Sequence, residues 1–283
     1  MEAKSSAPVG TVAFASQNKE AKSSAPVRTV AFAPQTRRIM NKFVLRQSLL
    51  LLLTATIWGV AFVAQSVGMD YVGPFTFNAV RCLIGGVVLL PCIAILNKFN
   101  RKNGVECMEG ETGKEVKSSP QSQKTLVIGG IACGVFLCIA SNLQQFGIMY
   151  TSVGKAGFIT AMYIVVVPVL GIFLRKKVGV KIWCGVGIAV VGLYLLCMTE
   201  SGFSIQKGDL LLMLCALVFS MHILVIDYFS PKVNGVWLSC IQFFVGGVLS
   251  VVCMFIFEHP SAQNILSAAI PILYSGVMSS GVA

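Results

Sequence analysis

From Ser48 onward the sequence runs in apolar blocks of about twenty residues separated by polar connections, and this rhythm limits the fold more than any other feature. About twenty residues of helix rise ~30 Å, the thickness of a bilayer's hydrocarbon core. The blocks fall at roughly 48–69, 75–96, 125–149, 156–174, 179–198, 208–228, 235–257 and 264–283. In lipid each backbone N–H and C=O needs a partner within the chain, which a helix supplies to itself. The sequence therefore predicts an all-α polytopic membrane protein. Composition agrees: 55% of the 283 residues are apolar and 12% are charged, about half the charge of an average soluble domain. The first block could be a signal peptide, but it is long and lacks an A-x-A-like site, so it reads as a retained span.

The net charge of +11 invites a nucleic-acid reading. The basic residues, however, lie between apolar blocks and not along one groove, so no nucleic-acid partner is expected. One alternating set of connections carries fifteen Lys and Arg residues, from Arg37, Arg38, Lys42 and Arg46 through the 97–124 loop to Lys232. The other set has only Lys155 and Lys207. The positive-inside rule then predicts a multi-pass protein of the cell (inner or plasma) membrane with a cytoplasmic N terminus. The mixed-charge 97–124 loop reads as a solvated linker.

Residues 1–39 form a Ser-, Ala- and Lys-rich tail in which Glu2–Gln17 returns, nearly unchanged, as Glu20–Gln35. Such composition predicts disorder. A transit peptide and a start at Met40 are the rival readings. Nine of the ten cysteines sit inside apolar blocks and no CxxC occurs, so they read as small hydrophobes, with Cys107 a free thiol in the loop. No HExxH, nucleophile elbow or paired-acid motif occurs, and the Gly-rich strings lack the strand and Lys-Ser/Thr of a phosphate loop. No enzyme, metal site or cofactor is expected.

Sliding the chain by 161 residues lays Leu49–Cys92 on Leu210–Cys253 without a gap. Gly85 and Gly86 then fall on Gly246 and Gly247, Trp58 on Phe219 and Arg81 on Gln242. The first and sixth helices start on opposite sides of the membrane, so this is an inverted repeat, a common way of building alternating access. The expected division is a tail over 1–39, a first five-helix half over 40–200 and a partial second half over 201–283, of about three helices.

These residues resemble the drug/metabolite transporter superfamily in its EamA-type branch. The resemblance rests on Trp58-Gly59, a Pro-led second helix bearing Arg81, Asn142 in the third, Tyr150–Ile159 leading into a helix with Pro168, and Gly185–Leu196. It implies ten helices in two halves with a central substrate pathway, so the ninth and tenth are expected beyond Ala283. It also implies a Glu just after the fourth helix, where this chain has Lys176. Function then reads as secondary transport of a small metabolite by alternating access, with export, a coupling ion and a homodimer left open. The alternatives are a non-transporting scaffold or receptor, and a membrane-embedded enzyme acting on lipid-linked substrates.

The substrate-pathway candidates are the polar and aromatic residues within the apolar blocks. Arg81 lies seven residues beyond Pro74 and, at membrane depth, should face the protein interior. It is either an anchor for an anionic or carboxylate group or a static hydrogen-bond post. Asn78, one turn earlier, shares its stripe. Trp58 and Gln65 share a face of the first helix, and Asn142 and Gln145 a face of the third, with Gln144 turned to an interface. In the second half Gln242 replaces the charge. His222 is either a proton-coupling group or a neutral, hydrogen-bonded histidine. Gly130-x-x-x-Gly134 and Gly185-x-x-x-Ala189 are faces suited to close helix contact.

Overall fold

The computed structural model describes residues 33–102, 108–109, 115–116, 120–173, 179–198 and 206–282, the side chains of a few of these excepted. The duplicated tail up to residue 32, the side chains of Arg37, Arg38, Lys42 and Cys197, Cys107, Lys176 and most of the charged loop lie outside the described residues. The chain divides into two compact units, residues 1–47 and 48–283. Of the first, the start of a helix is described; the second holds everything that follows.

The helices are α1 (Ala33–Gly68), α2 (Pro74–Lys102), α3 (Pro120–Ile148), α4 (Val153–Ala161), α5 (Tyr163–Phe173) and α6 (Val180–Met198). After them come α7 (Lys207–Phe229), α8 (Gly235–Phe257), α9 (Ala262–Ser267), α10 (Ala269–Leu273) and a π-helical segment, Tyr274–Val282. Among the described residues six helical stretches are long and apolar enough to cross a membrane. Their outward faces are wide apolar surface: Leu49 to Leu53 on α1 are about half to three-quarters exposed. That suits lipid and not water. The chain is thus a multi-pass membrane protein, as its sequence predicts.

Three departures have local causes. The 97–124 loop holds a two-residue antiparallel pairing, Met108–Glu109 with Glu115–Val116, where a plain linker is expected. The fourth span is interrupted at Met162, which ends α4 in a tightened turn as its N–H donates to the Ile159 carbonyl. The eighth block is broken into α9, α10 and the π segment instead of one helix over 264–283. Pro271 has no N–H to give and crowds the carbonyl four residues back, so it suits the first turn of a new helix and not the middle of a long one.

Helices α2 and α8 pack antiparallel through glycine. A Cβ at Gly86 would stand 3.1 Å from the Phe244 ring, and one at Gly247 2.9 Å from Leu83. Leu83 and Phe244 are themselves 161 residues apart, as are the two glycines. Each helix thus sets the same position into the other's groove, which is the signature of a two-fold axis. Because the helices are antiparallel, that axis crosses them and lies in the membrane plane.

The neighbouring layer repeats the exchange. A Cβ at Gly134 of α3 would lie 2.6 Å from Val245 and 3.0 Å from the Gln242 carbonyl of α8. One at Gly276 of the π segment would lie 2.9 Å from Ile84 and 3.0 Å from the Arg81 carbonyl of α2. The inverted repeat is therefore physical and carried by close backbone approach. Gly130 packs on Ile241, completing the expected Gly130/Gly134 face, whereas Gly185 has open space beside it.

The helix ends are fixed by polar groups. Glu258, just past α8, accepts from the N–H groups of Phe75 (2.9 Å) and Thr76 (2.8 Å), and from the Thr76 hydroxyl (2.6 Å). It thereby caps the first turn of α2 from another helix. At the two-fold-related end Asn234 caps α8 through Val236 and Trp237. Lys155 of α4 reaches buried Asp209 of α7 at 2.6 Å, and Thr151 donates to the same carboxylate at 3.1 Å.

Candidate functional site

The two halves enclose a cavity of about 1430 Å³, and part of its wall is built in two-fold pairs. On α1 stand Trp58, Ala61, Phe62 and Gln65; on α7, at the 161-residue shift, stand Phe219, His222, Ile223 and Ile226. Arg81 of α2 is matched by Gln242 of α8. The cavity therefore lies on the axis that relates the helices. Helical spacing makes this possible: positions 58, 61, 62 and 65 fall on one face at three- and four-residue intervals.

The pairing is symmetric in place and not in chemistry. Among the described lining residues Arg81 is the one Lys, Arg, Asp or Glu. Its side chain is 7% exposed and its Nε has no hydrogen-bond partner in the protein. Three more buried polar atoms of the lining lack a protein partner: Gln65 Oε1, Ser141 Oγ and Thr160 Oγ1. All four groups sit on α1 to α4, in the first half. Across the cavity, His222 Nε2 and Gln242 Oε1 lie 3.1 Å apart. The amide oxygen accepts, so Nε2 carries the proton. His222 is thus a buried, hydrogen-bonded histidine.

Of the residues singled out by sequence, Trp58, Gln65, Arg81, His222 and Gln242 line the cavity together. Asn78, Asn142 and Gln145 do not: they are buried in the layer between helices. Asn78 Nδ2 donates to Asn142 Oδ1 at 3.0 Å, Asn142 Nδ2 to the Cys138 carbonyl at 2.8 Å and to Ser250 Oγ at 3.2 Å, and Gln145 Nε2 to the Gln65 carbonyl at 3.3 Å. This layer holds α1, α2, α3 and α8 in place behind the cavity wall. Gln144, expected at an interface, lines the cavity. One residue is 100° of helical turn, so Gln144 and Gln145 point to different neighbours. Ser141 and Thr160 were not foreseen; single small hydroxyls within apolar helices give no periodic signal.

The described cysteines, including buried Cys82, Cys133, Cys138, Cys215 and Cys240, are free. Cys215 donates to the Ala140 carbonyl at 3.3 Å, packing as a small side chain between α7 and α3.

Comparison with known proteins finds a transporter family. The model of the EamA-like transporter family matches residues 45–198. An uncharacterized transporter of Archaeoglobus fulgidus is 31% identical over 201 residues, which are 71% of this chain and 55% of that protein. The uncharacterized transporter YoaV of Bacillus subtilis is 24% identical over 231 residues, 80% of this chain and 72% of that protein. The chain thus spans about half the length of the archaeal relative. No solved structure matches.

Proposed function

We propose, on the premise that the chain belongs to the EamA-like transporter family, that it carries a small metabolite across the membrane through the cavity on its two-fold axis. The supporting observation is the pairing across the cavity: four lining positions of α1, Trp58, Ala61, Phe62 and Gln65, have their counterparts on α7. Two inverted halves around one site can exchange conformations, so that the site faces first one side and then the other. A static receptor pocket has no need of such paired walls.

The halves that would rock against each other are residues 40–200 and 201–283. The basic connections support a cell-membrane location with the N terminus and the 97–124 loop on the cytoplasmic side. Asn78, Asn142 and Gln145 tie α1, α2 and α3 together, with Asn142 reaching Ser250 of α8 across the halves, while Trp58, Gln65, Arg81, His222 and Gln242 meet the cargo.

Reconstitution in liposomes with a panel of labelled amino acids, organic acids and nucleosides tests the reading by counterflow. Exchange of at least one class, abolished when the protein is heat-denatured, is the result expected. Folded protein that exchanges none of them would favour a non-transporting receptor.

A further inference from the structure

The charge of the cavity is one-sided. Arg81 is buried, its Nε is unpartnered, and it forms no ion pair among the described residues. Among the described residues no Asp or Glu lines the cavity. An ionised group at membrane depth ordinarily pairs with another or faces a functional cavity, and a buried charge without a partner is costly. Packing does not demand the charge, because Gln242 fills the two-fold-related place on α8 with a neutral amide. What the site lacks is an anion.

The surroundings define the rest of the ligand. Trp58 and Phe219 face the cavity from its two halves, with Phe62 and Phe158 beside them. Aromatic walls favour flat or bulky apolar bodies. From the same lining, Ser141 of α3 and Thr160 of α4 offer hydroxyls without protein partners. A guanidinium with a free N–H and two hydroxyl donors suits a carboxylate. A cation would meet Arg81 and no compensating acid, and a neutral ligand would leave the guanidinium unpaired.

We propose that the cavity selects a monoanion, a carboxylate on an aromatic or bulky apolar body, with the carboxylate seated on Arg81. This rests on the transporter reading for its purpose, though not for its chemistry.

The test uses the full chain in detergent and three labelled compounds that differ mainly in charge. These are N-acetyl-phenylalanine (anionic), its neutral amide, and the cationic amide of phenylalanine. Equilibrium dialysis should show the anion bound about ten- to a hundredfold more tightly than the neutral amide, as a charge-assisted hydrogen bond implies. The cation should not bind measurably. Arg81→Gln should remove the preference and leave the neutral amide within about twofold of its original affinity, with the melting temperature little changed. Arg81→Lys should keep the preference in weakened form.

Equal binding of all three compounds, binding of none, or an Arg81→Gln protein that still prefers the anion would overturn the inference. A melting temperature that falls in Arg81→Gln, with all affinities reduced alike, would make Arg81 a structural post and overturn it too. Counterflow of the same compounds separates the two readings. Binding of the anion without flux would remove transport and keep the charge selectivity; flux without anion preference would do the reverse.

Discussion

Arg81 and His222 line one cavity, yet their surroundings assign them different work. His222 is held by Gln242 at 3.1 Å, so each satisfies the other. Removing either leaves a buried polar group alone, which costs about 1–3 kcal/mol. His222→Ala and Gln242→Ala should each lower the melting temperature in detergent, and the double variant should lose about 0.5–1.5 kcal/mol less than the sum of the two. Additive losses would mean that the pair does not interact. If the histidine serves this hydrogen bond and not proton coupling, His222→Ala keeps whatever pH-gradient dependence transport shows. Loss of that dependence alone, in stable protein, would assign it the coupling role.

Among the elements, the helix contacts were more legible in sequence than the cavity they enclose. The repeated Gly85-Gly86 and Gly246-Gly247 pairs stand at equal spacing in the chain, and the structure sets Gly86 and Gly247 in the seam between α2 and α8, with Gly85 against the π segment and Gly246 against α3. A Cβ at Gly134 would stand 2.6 Å from Val245, with the Gln242 carbonyl at 3.0 Å. Gly134→Val should therefore push α3 from α8 and cost about 1–3 kcal/mol, the usual range for overpacking, read as a fall in melting temperature. The same change at Gly185, beside open space, should cost far less. Equal effects at the two sites would contradict the packing described. Glu258 gave no signal in sequence, because its partners Phe75 and Thr76 are more than 180 residues away. Glu258→Ala should cost about 0.5–2 kcal/mol, as losing a helix N-cap does. Gln144 shows the opposite limit: periodicity placed it on a face, but only the packed neighbours decided that the face opens on the cavity.

At the scale of the molecule, the fold follows from two facts of the chain: block length fixes membrane-crossing helices, and the 161-residue repeat fixes how they pair. The location of the site follows from the repeat as well, since a two-fold axis brings equivalent faces together. Its chemistry does not, because Arg81, Ser141 and Thr160 break the symmetry, and only the assembled walls show which polar atoms are left unpartnered. The central claim is that this cavity opens in turn to both sides of the membrane. Gly157 lines it, and a Cβ there meets only Phe62, at 3.9 Å, so Gly157→Cys introduces a thiol without disturbing the wall. The decisive measurement is the labelling of that cysteine, followed peptide by peptide, with a membrane-impermeant maleimide added to the outside or the inside of sealed vesicles. The account predicts reaction from either face, slowed from both by a bound substrate. Labelling from one face alone, whatever the substrate, would contradict it.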